Sequence, residues 1–521
     1  MAEDDLSNVA EVLAPPLSAL VPNRRMIALS IMLATLMQTL DGTIANVALP
    51  NMQGALSASQ DEITWVLTSY IVSAAIATPL TGWLATRFGV KYLLAAAISG
   101  FTIASGLCGL ADSLLQIIVA RVLQGVFGAS LVPLSQTILL GITPRNKQGQ
   151  AMALWGVGVM VGPILGPTLG GWLTDSLNWR WVFFINVPIG ALALLGTLTY
   201  LNQNERSPGQ SLDFFGFVTL SLAVGGLQTL LDRGEQLDWF SSIEIRVEAV
   251  IVLISTAFFV VHTMTVGRRS FLRRELLTDR NFGTGLLFIF VVGAVMFATR
   301  VLLPPMLQSL MNYNALSAGL VSAPSGIGTM VSMLLVSRLI GRFDIRILLV
   351  TGFAISAFAL WEMSCYSPVL SRADIVWPGV IQGFGLGLVF VPLSTLTFST
   401  LRNDLRGDGT AIYSLMRNIG SSIGISVAQT YITRNTQIAH ASLAAHLSVF
   451  DATVRDKLDP SSPLALALLN EQVTHQAAMI AYLDDFKMLY IATLLAIPLV
   501  ALIRSPQRAV GSSRDAHVPV D

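Results

Sequence analysis

Charge is what this chain has least of. Only 12% of its 521 residues are Asp, Glu, Lys or Arg, and 31 basic side chains balance 31 acidic ones. A soluble domain carries about a quarter charged residues, so most of the chain cannot present an ordinary water-exposed surface. A net charge of zero removes any bulk attraction to nucleic acid. Cysteine is nearly absent: Cys108 and Cys365 both lie in apolar runs, which argues for small buried hydrophobes and against a disulfide framework. His440, His446 and His475 share one polar stretch but fit no metal-ligand spacing, so no metal site is expected and solvated surface is the reading. The chain has no Walker A pattern and no nucleophile–base constellation, which speaks against an ATPase or any other enzyme. The opening residues are acidic (Glu3, Asp4, Asp5, Glu11), unlike the basic start of a secretory signal, and read as a short cytoplasmic tail over 1–25.

What the chain does have is apolar length: 53% of it is hydrophobic. A span needs about 20 apolar residues, and that rule predicts fourteen: 26–48, 63–85, 91–110, 114–140, 150–173, 181–201, 214–232, 244–266, 282–304, 316–338, 346–366, 374–400, 409–434 and 485–503. With the N-terminus inside, 20 of the 31 Lys and Arg fall on the cytoplasmic side and 8 outside, the asymmetry expected of an even number of spans with both ends cytoplasmic. Residues 84–94 (LATRFGVKYLL) and 339–349 (LIGRFDIRILL) repeat each other, as do QGVFG before Pro133 and QGFG before Pro392. The copies lie about 255 residues apart, which two six-span halves with an extra pair at 214–266 between them explain. The predicted fold is thus an all-α integral membrane protein: an N-terminal bundle over 26–201, a linker with two extra spans over 202–281, a C-terminal bundle over 282–503 and a cytoplasmic tail over 504–521. The longest polar connection, 435–484, is expected outside, as two amphipathic pieces flanking a middle with Asp451, Asp456, Asp459 and Pro460.

Lipid should not tolerate three charged positions. Asp41 lies in span 1, where a carboxylate costs roughly 2.5–3.5 kcal/mol even on a lenient scale. It escapes by taking a proton or by pairing, and span 4 offers Arg121. Each lies about seven residues from the outer end of its span, so at ~1.5 Å per residue both sit roughly 10 Å below the outer surface. Equal depth permits contact and leaves open a static structural pair. Arg417, followed by Asn418, lies in span 13; helix packing, gate closure and substrate contact all remain open for it. Arg300 and Glu362 lie near the outer ends of their spans, where snorkelling accounts for them; Glu362 and Gln308 are also candidate substrate-pathway residues.

The segment 158–190 is the most distinctive. Gly158, Gly162, Gly166 and Gly170 recur every four residues and form one bare ridge on a helix, while Pro163 and Pro167 favour a bend. Close helix packing alone accounts for a glycine ridge. Followed by W-R-W-V-F-F-I-N-V-P-I-G over Trp179–Gly190, however, the stretch resembles the antiporter motif of the major facilitator superfamily. It is similar to the 14-span drug:proton antiporter branch, the EmrB/QacA-like multidrug exporters. L-D-G-T-I-A-N-V-A-L-P around Asp41 matches that branch, and R-V-L-Q-G from Arg121 through Gln124 matches a superfamily motif linked to proton coupling. Gly82–Lys91 resembles the loop between spans 2 and 3, with Thr86 where an acidic residue is usual.

The resemblance implies a proton-coupled exporter of hydrophobic or amphipathic compounds across a bacterial inner membrane, with protons as coupling ion and no cofactor. Asp41 would be the protonation site, Arg121 its tuning partner, and Gln124 part of the pathway. It also implies a periplasmic adaptor and an outer-membrane channel as partners, with 435–484 as the adaptor contact. An exporter of one dedicated metabolite, lipid precursor or siderophore is the alternative on the same architecture, and a membrane sensor or channel the remaining one.

Overall fold

The computed structural model describes residues 23–144, 147–202, 212–266, 273–340, 342–367, 370–402, 405–447 and 463–503. Nearly all of the predicted tails, and Asp451, Asp456, Asp459 and Pro460, lie outside these residues. Within them the chain is helical, with no strand beyond one isolated bridge. The N-terminal half contains α1 (Arg24–Ala55), α2 (Gln60–Ala77), α3 (Leu80–Phe88), α4 (Val90–Leu110), α5 (Leu114–Gly128), α6 (Leu131–Ile142), α7 (Gln148–Ser176), α8 (Trp181–Phe184) and α9 (Asn186–Tyr200). Two further helices follow, α10 (Phe214–Arg233) and α11 (Ile243–Val266). The C-terminal half contains α12 (Arg274–Thr278), α13 (Arg280–Val292), α14 (Ala298–Leu310), α15 (Ala315–Leu339), α16 (Ile345–Ser364), α17 (Arg372–Ser399), α18 (Arg406–Ala445) and α19 (Pro463–Leu499).

Side-chain caps fix many of the starts. Ser59 and Ser371 form capping boxes with Glu62 and Asp374, and Ser113, Asp213, Asp279 and Asn314 each accept a hydrogen bond from the first turn of α5, α10, α13 and α15. Counting α5–α6, α8–α9 and α13–α14 each as one segment, 12 helices among the described residues are long and apolar enough to cross a membrane, and the bent pair α2–α3 makes 13. The remaining predicted span, 409–434, falls within α18, where Arg417, Asn418, Ser421 and Ser422 lower the apolarity. A count of fourteen fits these helices.

The helix carrying Pro163 and Pro167 is continuous over 29 residues, and a 58° bend lies between α2 and α3, at Thr78–Pro79. A proline in a long membrane helix removes one hydrogen bond, and neighbours can hold the helix in line. Helix α7 is held on two sides, by α1 and α15. In the described part of the connection 435–484, the two flanking pieces are helical: α18 continues to Ala445 and α19 begins at Pro463, and His440 Nε2 lies 3.0 Å from Asn470 Oδ1. Apolar runs mark hydrocarbon depth, whereas helices can continue beyond it. We call this the hairpin end of the molecule, and the opposite end, where α1 begins and α19 finishes, the terminal end.

The core is distributed unevenly between these ends. At the terminal end a single cluster joins both halves, from Ile27, Leu94, Leu134 and Trp155 to Phe288, Phe353, Phe390 and Phe398. At the hairpin end there are two separate clusters. One contains Leu40, Ile44, Cys108, Trp179 and Phe183 from the N-terminal half; the other contains Leu302, Met306, Leu360 and Phe486 from the C-terminal half. Polar contacts follow the same division. At the terminal end the hydroxyls of Thr137 and Thr410 lie 2.7 Å apart across the halves, Arg406 Nη1 donates to Leu140 O (3.3 Å), and Trp155 stacks on Phe390. Gly82 packs directly against Asp408 there, so the loop between spans 2 and 3 meets the C-terminal half although Thr86 is not acidic. Arg87 lies over Trp83, and Lys91 Nζ donates to Leu198 O (2.8 Å).

Helix α7 packs on α15 and its C-terminal end from Gly149 against Ile340, through Gly156 against Met333, to Pro167 against Gly319. On the opposite side α10 bridges the seam. It meets α2 through Thr68 Oγ1, which donates to Asp232, and meets α18 through Ser422 Oγ, which donates to Gln228 Oε1 (2.8 Å), and Ser426 Oγ, which donates to Leu231 O (2.9 Å).

Candidate functional site

The site grows from α1. Asp41 is 0% exposed, yet its carboxylate is fully engaged. Oδ2 accepts from Arg121 Nη1 at 2.6 Å, while Oδ1 accepts from Gln124 Nε2 at 2.8 Å and from Asn186 Nδ2 at 2.9 Å. Two helices thus supply three donors to one carboxylate: α5 through Arg121 and Gln124, three residues apart on one face, and α9 through Asn186 at its first position.

Arg121 is itself held from several sides. Nε donates to Val66 O of α2 (2.9 Å), Nη1 also donates to Gln124 Oε1 (2.8 Å), and the guanidinium lies 4.3 Å from the Tyr70 ring centroid and 5.7 Å from that of Phe183. Such stacking suits a planar guanidinium. Nη2 is buried without a partner among the described residues. Asn186 Nδ2 donates in addition to Ser105 Oγ (3.0 Å), which donates to Phe183 O (2.9 Å). Cys108 Sγ lies 3.6 Å from Gln124 Oε1. Cys108 is buried as expected, whereas Cys365 is exposed just after α16.

Glycine sets how closely these helices approach. A Cβ at Gly125, directly after Gln124, would lie 2.5 Å from Tyr70 O, so only glycine lets α5 lie against α2 here. The ridge on α7 serves α1 in the same way. A Cβ at Gly162 would lie 2.6 Å from Thr39 C and 2.7 Å from Leu40 N, the residue before Asp41. Gly158, Gly166 and Gly170 face Met32, Thr43 and Ile44, and Thr43 Oγ1 donates to Gly162 O (3.3 Å). Pro167 and Ile164 face the other way, toward Gly319 and Gly326 of α15. One helix therefore reads α1 on its bare side and the C-terminal half on the other.

The sequence-derived residues divide clearly. Asp41, Arg121 and Gln124 meet, with the glycines of α7 behind them. Gln308 is exposed near the hairpin end of α14, its Nε2 donating back to Pro304 O (3.3 Å). Glu362 lies on α16, whose main partners α17 and α19 both belong to the C-terminal half, and its Oε2 is buried without a partner among the described residues. Arg417 and Asn418 lie half-buried on α18, Arg417 Nη2 donating to Asn418 Oδ1 at 3.4 Å, close to the π-turn Gly293–Phe297 that joins α13 to α14. Sequence reasoning missed Asn186, Ser105 and Tyr70. For Asn186 a signal was present: an amide within the apolar F-F-I-N-V-P stretch. It also missed Asp485 on α19, which is 0% exposed with neither oxygen hydrogen-bonded among the described residues.

A polytopic helical membrane protein, with two halves sealed at one end and a buried ion pair in one half, has the build of a secondary carrier. Residues 31–425 match the Major Facilitator Superfamily, and the chain belongs to that family. It is 37% identical over 499 residues to the Multidrug export protein EmrB of Escherichia coli (strain K12), covering 94% of this chain and 97% of that one. To the Fatty acid resistance protein FarB of Neisseria gonorrhoeae it is 34% identical over 492 residues, covering 93% and 97%. Among solved structures, the human organic anion transporter MFSD10 superposes with a TM-score of 0.58 over 91% of this chain and all of that one, at 14% identity. The proton:xylose symporter XylE does so with a TM-score of 0.56 over 92% and 98%, also at 14% identity. Both have the same fold.

Proposed function

We propose that this protein is a proton-coupled exporter of hydrophobic or amphipathic compounds in the bacterial inner membrane, with both termini cytoplasmic. The names of its multidrug-export relatives support the substrate class. The observation that carries the coupling is the fully buried Asp41 carboxylate with its donors from α5 and α9.

Asp41 has two protonation states with different demands on its surroundings. As a carboxylate it balances Arg121 and accepts all three hydrogen bonds. A proton on Oδ2 displaces the Arg121 Nη1 bond and leaves a buried guanidinium uncompensated, an expensive arrangement that favours rearrangement of α1 against α5. Because α1 lies on the glycine ridge of α7, and α7 lies on α15, a shift of α1 acts at the boundary between the halves. With one hydrophobic core shared by both halves at the terminal end and a separate core in each half at the hairpin end, the arrangement supports a state closed to the cytoplasm. Complete burial means that Asp41 exchanges protons with water only when its helices move. One proton moving down about 100 mV supplies ~2.3 kcal/mol, or roughly a 50-fold substrate gradient.

The helical hairpin of α18 and α19 is the proposed contact for a periplasmic adaptor, which would link this protein to an outer-membrane channel. In proteoliposomes with an imposed acid-inside gradient, an amphipathic dye should accumulate in the lumen against its own gradient, and a protonophore should collapse it. Uphill accumulation that persists with the gradient abolished would overturn the coupling.

A further inference from the structure

Near the hairpin end, where α18 and α19 lie side by side, a cavity of about 340 Å³ is lined by Tyr431 of α18 and by Asp484, Lys487, Met488 and Ile491 of α19. That volume falls at the low end of the range for small-molecule sites, about 300–1,000 Å³. Its depth follows from the sequence. The apolar run on α18 ends near Arg434 and that on α19 begins near Asp485. At ~1.5 Å per residue, Tyr431, Asp484 and Lys487 therefore all lie within about 5 Å of the hydrocarbon boundary. One turn deeper the walls are apolar. Ile491 is exposed, Leu495 is exposed one turn beyond it, and Val427 is exposed one turn below Tyr431 on α18.

Asp484 and Lys487 stand three residues apart on one helix face, where opposite charges ordinarily pair. Here neither side chain has a hydrogen bond or an ion pair among the described residues. The cavity thus holds one negative and one positive charge at headgroup depth, with a phenol beside them and an apolar slot beneath. A simple anion meets repulsion from Asp484, and a simple cation meets it from Lys487. A ligand carrying both charges satisfies both.

We propose that this cavity is the headgroup site for a zwitterionic phospholipid with a primary ammonium, a phosphatidylethanolamine. The ammonium donates to the Asp484 carboxylate and the Tyr431 hydroxyl, the phosphate accepts from Lys487 Nζ, and an acyl chain follows Ile491 and Leu495. A phosphatidylcholine carries the same charges, but its quaternary ammonium has no N–H to donate. A phosphatidylglycerol has no cation to offer Asp484. In the orientation proposed above the lipid belongs to the outer leaflet. Binding itself depends on neither orientation nor transport, so it stands or falls separately from the exporter reading.

The purified full chain in mild detergent is titrated with the ethanolamine, choline and glycerol lipids, all with identical acyl chains, and bound lipid is read by native mass spectrometry. The first ethanolamine lipid should bind wild type at least about fivefold more tightly than either of the others, a comparison that needs no variant. Asp484→Asn should bring the ethanolamine and glycerol lipids to within about twofold of each other, because it weakens the first and removes the repulsion of the second. Lys487→Gln should weaken all three alike, since each carries a phosphate. Phosphoethanolamine without acyl chains, added at the same concentration, should not displace the lipid. Wild-type affinities within about twofold for all three lipids, tightest binding of the glycerol lipid, or a selectivity that survives Asp484→Asn would each overturn the proposal. Unchanged affinities in Lys487→Gln would do the same, and displacement by phosphoethanolamine would make a soluble zwitterion the occupant instead of a lipid.

Discussion

Among the described residues, each half of the molecule hides one aspartate completely from solvent, Asp41 in the N-terminal half and Asp485 in the C-terminal half. Their surroundings differ in kind. Asp41 receives an arginine and two amides within 2.6–2.9 Å, drawn from α5 and α9. Asp485 has neither oxygen paired among the described residues, and Phe486 and Leu489 after it belong to an apolar cluster. An ion pair with further hydrogen bonds holds its charge at depth, whereas a lone carboxylate in such a place is far more comfortable neutral. Only the first has a partner whose own state must change when the proton arrives. Burial alone therefore does not identify a coupling site.

This contrast is open to experiment. The largest effect is expected from Asp41→Asn, which leaves Arg121 buried and uncompensated and should cost about 3–5 kcal/mol of stability. Adding Arg121→Gln should recover most of that loss, read as the unfolding temperature of the purified protein. A double variant no more stable than the single would mean that the pair is weak. Asn186→Ala should come next, at about 1–3 kcal/mol, since Asp41 Oδ1 then keeps a single donor while Ser105 loses its neighbour. Its exchange should be slowed but not abolished, as seen in dye efflux from intact cells. Smallest is Asp485→Leu, which should raise stability by on the order of 1 kcal/mol and leave exchange unchanged. A loss of exchange in that variant would make the C-terminal carboxylate a second coupling group.

Asp41 and Arg121 were legible in the sequence because a charge in oil must be neutralised, and because helix rise converts position into depth. Gln124 was singled out only because R-V-L-Q-G resembles a superfamily motif. Asn186, Ser105 and Tyr70 were not, since one polar side chain in an apolar run resembles any other until α2, α4 and α9 are brought together. The position of Arg300 was misread for a related reason. Distance from a span end does not tell which way a long side chain turns, and here it turns toward Met160 of α7 and Thr329 of α15. The glycine ridge was read correctly as a packing surface, but its counterpart, the backbone of α1 at Thr39 and Leu40, is a tertiary fact. The unbroken course of α7 through two prolines is another, and α1 and α15 flank it.

The most direct test of the account is substrate-triggered proton movement in proteoliposomes, followed with a pH-sensitive dye trapped inside. Adding an amphipathic substrate to wild-type vesicles should start a proton flux that the Asp41→Asn, Arg121→Gln double variant, folded and stable, does not show. An equal flux from that variant would contradict the account, because protons would then be coupled without the carboxylate on α1.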